Sequence, residues 1–340
     1  MPERRYDILA VDLDGTLLDP RGKVTERTAS AVRRARERGL EVVICTGRSL
    51  VESRHAIEAI EARTIPRGWH SAPVVVAGGA MIADAMTGRT LRRWPMDLGL
   101  VTRVIGRFAE ARVATMVLKD PFEAGFDYLI VDTGPLDPVN LWWFEKMGVT
   151  RRHVASIAED GHPEHTVRVG FAAATTAMYG VGREIMAEFA HETTMHHFAA
   201  VSGKAMDRRA RDAARPAHGE GIPGAGDLGF VQNKPSEDVD AIGSDIEAKD
   251  DSIHILEVFD KRVSKWAAIE WLAGERGVRS DRVAAIGDEI NDLAMVKGAG
   301  LGIAMGNAVG SVREAAEAVA PSNAEDGVAF AIDRILSGEW

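Results

Sequence analysis

Two carboxylates separated by a single residue stand in the run Asp12-Leu13-Asp14-Gly15-Thr16, directly after a short apolar stretch. A second acidic run, Gly287-Asp288-Glu289-Ile290-Asn291-Asp292, follows another apolar stretch far along the chain. If the two runs meet, their carboxylates repel one another unless a hard cation sits among them, and Mg2+ is the ion this implies. Thr46-Gly47-Arg48 adds a hydroxyl and backbone N–H groups of the kind that hold a phosphate oxygen. Lys265, at the start of an expected helix, brings an ammonium able to offset carboxylate and phosphoryl charge. Each pattern also has an ordinary reading: Asp-Gly is a turn signal, an acid after a strand caps the next helix, and most lysines are solvated.

The elements needed to position these residues are legible on both sides of the chain. Asp7 to Val11 is a short apolar run bounded by acids, as in a strand buried on both faces. Thr25 to Arg38 reads as a helix, capped by Thr25 and closed by Gly39. Leu40 to Cys45 (strand), Leu50 to Ala62 (helix) and Pro73 to Ala77 (strand) continue an alternation that predicts a parallel sheet with right-handed crossovers. The same grammar returns in Ser264 to Arg276 (helix), Arg282 to Ile286 (strand), Asp292 to Lys297 (helix), Leu301 to Ala304 (strand) and Gly327 to Leu336 (helix). In such an open sheet ligands sit beyond the carboxyl ends of the strands, where both acidic runs fall.

Between the two blocks the texture changes. Strands are expected at 114–118, 126–131, 166–171, 195–199 and 252–257, and helices at 98–111 and 177–190, which together read as an inserted α+β domain. The expected division is a core of residues 1–82 and 257–340 and an insert of 83–256. Within the insert, residues 202–251 begin basic, pass through a Gly/Pro-rich centre and end acidic, as a solvated loop or flexible insertion does.

Composition removes several function classes. With 41 Lys and Arg against 51 Asp and Glu the net charge is −10, so the chain lacks the basic balance of a nucleic-acid or anionic-membrane binder. No stretch of about 18 apolar residues appears, so no membrane span is expected. Cys45 is the single cysteine, which excludes an intrachain disulfide and a thiolate zinc cluster and makes a reducing cytoplasm the expected location.

The four runs, in this order, resemble those of the haloacid dehalogenase (HAD) superfamily, and of its Cof-like phosphatases with a type IIB cap in particular. Asp12 to Thr16 match the Asp-x-Asp-Gly-Thr motif, Thr46 to Arg48 the second motif, Lys265 the third and Gly287 to Asp292 the fourth. Gly287 to Asn307 and Asn323 to Ala329 are especially similar to that subgroup, and the likeness covers about residues 6–82 and 252–336. It implies an α/β fold, a Rossmann-like parallel-sheet core with an inserted α+β cap. It also implies a Mg2+-dependent phosphatase acting on a small phosphorylated metabolite, sugar phosphates being the default class, as a monomer or homodimer. Asp12 would attack phosphorus to give an aspartyl-phosphate, and Asp14 would act as acid and then base. Asp12, the Asp14 backbone carbonyl and Asp288 would hold Mg2+, with Asp292 as ligand or support. Thr46, Gly47, Lys265 and Asn291 would hold the phosphoryl group. A phosphomutase of the same superfamily and a non-hydrolytic phospho-ligand sensor are the competing readings; the intact Asp12 and Asp14 argue against the sensor. Two positions depart from the pattern: Gly78-Gly79-Ala80 stands where Asn-Gly-Ala is common, and Trp266 follows Lys265 where Gly is usual.

Other residues are read as structural. His153, His162, His165, His191, His196 and His197 fit no zinc spacing and show no accompanying carboxylates, so they are expected to be solvated or cap-core histidines. Asp238-Val239-Asp240 lacks the oxygen ligands of a calcium loop further on. Cys45 is expected to be buried and inert. Trp142, Trp143 and Phe144 are assigned to the cap core.

Overall fold

A computed structural model describes residues 5–66, 68–201 and 253–340. The chain divides into two compact units, the first containing residues 5–93 and 263–340 and the second 94–201 and 253–262 of those described. The expectations for 202–251 and for the 238–240 run lie outside the described residues.

The first unit opens with β1 (Ile8–Val11), α1 (Glu26–Glu37), β2 (Glu41–Ile44), α2 (Arg54–Ala59) and a hairpin of β3 (Pro73–Val76), β4 (Met81–Asp84) and β5 (Thr90–Arg93). In the second unit come α3 (Leu98–Glu110), β6 (Thr115–Lys119), α4 (Pro121–Ala124), β7 (Tyr128–Val131) and α5 (Pro138–Met147). They are followed by β8 (Arg151–Val154), β9 (Thr166–Ala174), α6 (Thr175–Phe189), β10 (Thr193–Val201) and β11 (Ile253–Asp260). The chain then returns to the first unit with α7 (Lys265–Glu275), β12 (Val283–Gly287), α8 (Leu293–Gly298), β13 (Leu301–Ala304), α9 (Gly310–Ala315), β14 (Ala318–Val319) and α10 (Gly327–Ser337).

The core of the first unit is a five-stranded parallel sheet in the order β14-β13-β12-β1-β2. Residues of β1, β2, β12 and β13 are buried along their whole length, which is why, apart from Glu41 at the start of β2, they read as apolar runs rather than alternating ones. Strand β1 is central. Its partners Val283–Ile286 and Glu41–Ile44 run in register beside Ile8–Val11, so the ends of β1, β2 and β12 lie side by side. Thr25 caps α1 by accepting from the Thr28 amide at 3.1 Å, and Ala29, Ala31, Val32 and Ala35 turn inward.

The structure corrects the sequence reading in this unit. β3 touches the parallel sheet through one parallel bridge, Cys45 with Val75, and otherwise pairs antiparallel with β4. The chain reverses between them through Ala77, Gly78 and Gly79 at φ of 51°, 64° and 98°, a conformation that favours glycine. Because the hairpin pairs with β3, the unit runs to Arg93 rather than ending at residue 82, and it resumes at Val263 rather than 257. The helix expected from Leu50 is cut back to Arg54. Ahead of it Ser49 and Glu52 cap each other, Ser49 donating its amide to Glu52 at 2.7 Å and Glu52 its amide to the Ser49 hydroxyl at 3.5 Å, and Leu50 to Ser53 form irregular turns.

The second unit is a six-stranded sheet, β10-β11-β9-β6-β7-β8, antiparallel except for the β7–β8 pair. Helices α3 and α6 pack on it through Val104, Phe108, Ile185 and Phe189, with Phe108 edge-on to Phe171 at 4.7 Å. Phe144 is buried against Tyr128 as expected, whereas Trp142 and Trp143 are only half-buried. Among the described residues no helix is long and apolar enough to cross a membrane.

Candidate active site

Parallel pairing of β1 with β12 puts Asp12 and Asp288 at adjacent strand ends, since Val11 is opposite Ile286 and the Asp12 amide bonds the Ile286 carbonyl at 3.1 Å. Acidic runs separated by more than 270 residues therefore meet. One oxygen each from Asp12, Asp288 and Asp292 falls within a 4.8 Å cluster. Lys265 reaches the cluster from the first turn of α7, where the Ser264 hydroxyl caps the helix by accepting from Ala267. Lys265 is 1 % exposed, and its ammonium donates to Asp12 Oδ1 at 2.5 Å and Asp292 Oδ1 at 2.6 Å.

Asp292 has a second task. Its Oδ2 accepts the amides of Asp288 and Glu289 at 3.0 and 3.1 Å, so it pins the turn that carries Asp288. The helix-capping alternative for these acids therefore holds for one oxygen of Asp292, while the other serves Lys265. Thr16 donates to Asp288 Oδ1 at 2.7 Å and Asn307 Nδ2 to Asp288 Oδ2 at 3.2 Å, which fixes both oxygens of that carboxylate. Gly15 adopts φ 77°, and a Cβ there would collide with the Asp288 carboxylate. Glycine is needed at that position for both reasons.

Asp14 turns elsewhere. Both its oxygens are taken by Arg48, from Nε at 2.8 Å and NH2 at 2.5 Å, with the arginine nearly buried and Asp14 half-exposed. Thr46 and Gly47 lie just past β2 at the same end of the sheet, and the Thr46 hydroxyl accepts the Arg48 amide at 3.1 Å. Asn291 lies in the turn before α8 with a buried Oδ1 that no group of the described chain contacts.

Three groups were not anticipated as site residues from the sequence. Thr16 and Asn307 hold Asp288, and Arg48 holds Asp14. Asn307 also donates to the Gly15 carbonyl at 2.8 Å and accepts the Asn323 amide at 2.9 Å, while Asn323 Nδ2 reaches the Leu18 carbonyl at 2.8 Å. The two asparagines thus tie both acidic loops together. Each sits in a stretch flagged by resemblance, but spacing alone gave neither a role. Cys45 is fully buried, and burial pushes its thiol up, as expected for an inert cysteine.

The electrostatics show what the cluster lacks. Burial, then Asp292, push Asp12 up to about 8 against the pull of Lys265, and the nearby Asp14 adds to the rise. Burial, then Asp12 and Asp292, push Asp288 up to about 9 despite the Thr16 hydrogen bond. For Lys265 burial opposes the charge, but Asp12 and Asp292 outweigh it and raise the ammonium above its ordinary value. One cation does not balance these acids. A set of hard oxygen donors short of positive charge fits a divalent cation of the Mg2+ type.

Comparison with known proteins gives one consistent likeness. A family model described as haloacid dehalogenase-like hydrolase matches residues 9–123 and 234–332. The 5-amino-6-(5-phospho-D-ribitylamino)uracil phosphatase YwtE of Bacillus subtilis (strain 168) is 26% identical over 98% of this chain and 99% of its own. Phosphatase YwpJ of the same organism is 25% identical over 97% of this chain and 99% of its own. Among solved structures, a haloacid dehalogenase-like hydrolase from Bacteroides thetaiotaomicron superposes with a TM-score of 0.67 at 19% identity, covering 97% of this chain and 99% of that one. The HAD subclass IIB sugar phosphatase BT4131 does so with a TM-score of 0.65 at 16% identity, covering 96% and 98%. At those identities the structural likeness is one of fold.

Two expected outcomes follow from the geometry. The folded, metal-free protein keeps protons on Asp12 and Asp288 that the unfolded chain releases above the ordinary 3.8, up to about 8 and about 9. Its stability therefore falls as pH rises through that window, and Mg2+ raises the thermal midpoint more at about pH 8 than at about pH 5. Equal Mg2+ shifts at both pH values in thermal melts contradict this. Asn307→Ala weakens Mg2+ binding about tenfold in titration calorimetry, because Asp288 and the Gly15 carbonyl lose their common anchor; unchanged affinity contradicts that role.

Proposed function

Because the chain belongs to the haloacid dehalogenase-like hydrolase family, we propose that it is a Mg2+-dependent phosphatase that hydrolyses a small phosphorylated metabolite through attack by Asp12. The observation that carries this reading is the buried contact of Lys265 with Asp12 at the end of the central strand. A carboxylate held on one oxygen by an ammonium presents the other in a fixed direction, which suits in-line displacement at phosphorus.

Asp12, Asp288 and the Asp14 backbone carbonyl would hold Mg2+, with Asp292 supporting Lys265 and the Asp288 turn from behind. The ion, when bound, would supply charge stabilisation for the phosphoryl oxygens and relieve the repulsion among the acids. The rest falls to the chain's own groups. Asp12 Oδ forms the bond to phosphorus as the ester oxygen leaves, giving an aspartyl-phosphate. Asp14, once it has taken up a proton on an oxygen released from Arg48, gives that proton to the leaving oxygen and, as the carboxylate, takes one from the water that releases inorganic phosphate. To do so Asp14 exchanges at least one of its two bonds to Arg48 for the leaving oxygen, so Arg48 holds the acid in place until substrate arrives. Thr46, the Gly47 amide, Lys265 and the Asn291 side-chain amide NH2 would donate to the phosphoryl oxygens.

A sugar phosphate or a phosphate on a sugar-derived chain is the substrate class we favour. The names of the relatives support it: one acts on a phospho-ribitylamino compound and a protein of the same fold is a sugar phosphatase. The single cysteine and the acidic balance fit a cytoplasmic enzyme with neither nucleic acid nor membrane as partner.

The test is release of inorganic phosphate from a panel of sugar, polyol and nucleotide phosphates with Mg2+ or EDTA, in wild type and Asp12→Asn. Release that needs Mg2+ and falls at least about a thousandfold in Asp12→Asn is expected, as for loss of a nucleophile. Isomerised substrate without proportional phosphate would identify a mutase instead. Comparable release by Asp12→Asn would remove Asp12 from the chemistry.

A further inference from the structure

The second unit brings together a donor set that the linear sequence hid. Between β8 and β9 the chain makes a short turn, Pro163–His165, in which His162, Glu164 and His165 each place one ligand-type atom within 4.8 Å of the others. The sequence reading dismissed these histidines for want of a carboxylate. Glu164 is that carboxylate, and its Oε1 lies 2.9 Å from His165 Nε2. The other nitrogen of the ring, His165 Nδ1, is buried without a partner, so the ring is not satisfied by the protein around it.

The turn is also held rigidly from beneath. Lys119 is fully buried, and its ammonium binds Asp160, the His162 carbonyl at 3.2 Å and the Thr166 hydroxyl at 2.7 Å. Asp160 accepts the His162 amide at 3.0 Å, the His165 carbonyl accepts the Asp120 amide at 2.8 Å, and the His162 ring stands edge-on to Phe126 at 6.0 Å. Asp160, not Glu164, is the carboxylate bonded to the Lys119 ammonium. Glu164 itself is exposed, so the cluster opens to solvent and an ion can enter.

We propose that His162, Glu164 and His165 form a binding site for a borderline d-block divalent cation of the Zn2+ type, separate from the oxygen-donor cluster of the first unit. Two imidazoles and one carboxylate are the donors such ions prefer, whereas Mg2+ selects oxygen alone. Three protein ligands leave a coordination position for water or an exogenous ligand. Preorganisation of the turn by Lys119 and Asp160 lowers the ordering cost of assembling the ligands. The site does not depend on the phosphatase reading, and either can fail alone.

The experiment is a calorimetric titration of the full chain with Zn2+ in excess Mg2+, followed by Co2+ titration read by visible absorption. Wild type is expected to bind one Zn2+ at this site and to give the absorption of low-coordinate Co2+. His162→Ala and His165→Ala each weaken that binding about tenfold or more, while the thermal midpoint of the metal-free variants confirms folding. Glu164→Gln, at an exposed position, supplies the same test if a histidine variant fails to fold. His191→Ala, outside the cluster, leaves binding unchanged. The proposal is overturned if wild type binds no Zn2+ in excess Mg2+, or if Zn2+ affinity is the same in wild type, Glu164→Gln and the folded histidine variants.

Discussion

A buried ammonium shared by two buried carboxylates is the constraint on which the first unit is organised. Asp12 and Asp292 hold the buried Lys265 ammonium charged, and that ammonium opposes the burial that pushes Asp12 upward. Their three positions come from three parts of the sequence: the end of β1, the first turn of α7 and the turn before α8. Only the parallel order β12-β1-β2 brings these parts to one edge. Folding of the sheet therefore assembles the charge cluster.

The supporting contacts serve that same constraint. Gly79, at φ 98°, lies so close to the Ser264 backbone that a Cβ would collide with it, so the reversal after β3 seats directly against the start of α7 and the base of Lys265. Asn307 and Asn323 cross-link the Asp288 turn to the loop after β1. Thr16 and the Asp292 carboxylate fix the two sides of the Asp288 turn. The result is a rigid group of acids with too little positive charge, and the upward displacement of Asp12 and Asp288 expresses that deficit. A divalent ion and a phosphoryl group held by Lys265 would complete the arrangement, which is how the geometry leads to phosphatase chemistry.

Much of this was legible in the sequence because the signals were local. β1, β12 and β13 are apolar runs without alternation, and Thr25 and Gly39 punctuate α1 where they are expected to. The meeting of Asp12, Lys265, Asp288 and Asp292 followed from placing them at strand and helix ends of one parallel sheet. The hairpin of β3 and β4, with β5 beyond it, does not emerge from the sequence although Gly78-Gly79 is a turn signal, because β3 reads there as a strand of the parallel sheet alone. The roles of Arg48 and Asn307 depend on where long side chains point across the fold, which no periodicity encodes. The His162, Glu164, His165 cluster was overlooked for a similar reason: the spacing matched no known signature, and proximity came from a turn anchored by Lys119, more than 40 residues earlier.

The central claim is that Asp12, held by Lys265, is the group that bonds to phosphorus. The most direct measurement is rapid acid quenching of the enzyme during turnover with a phosphoryl-labelled substrate, followed by mass spectrometry of its peptides. The account predicts a phosphoryl group on Asp12 in wild type and none on the corresponding peptide of Asp12→Asn. Turnover with the label on another residue, or an Asp12→Asn variant that still forms the labelled enzyme, would contradict it.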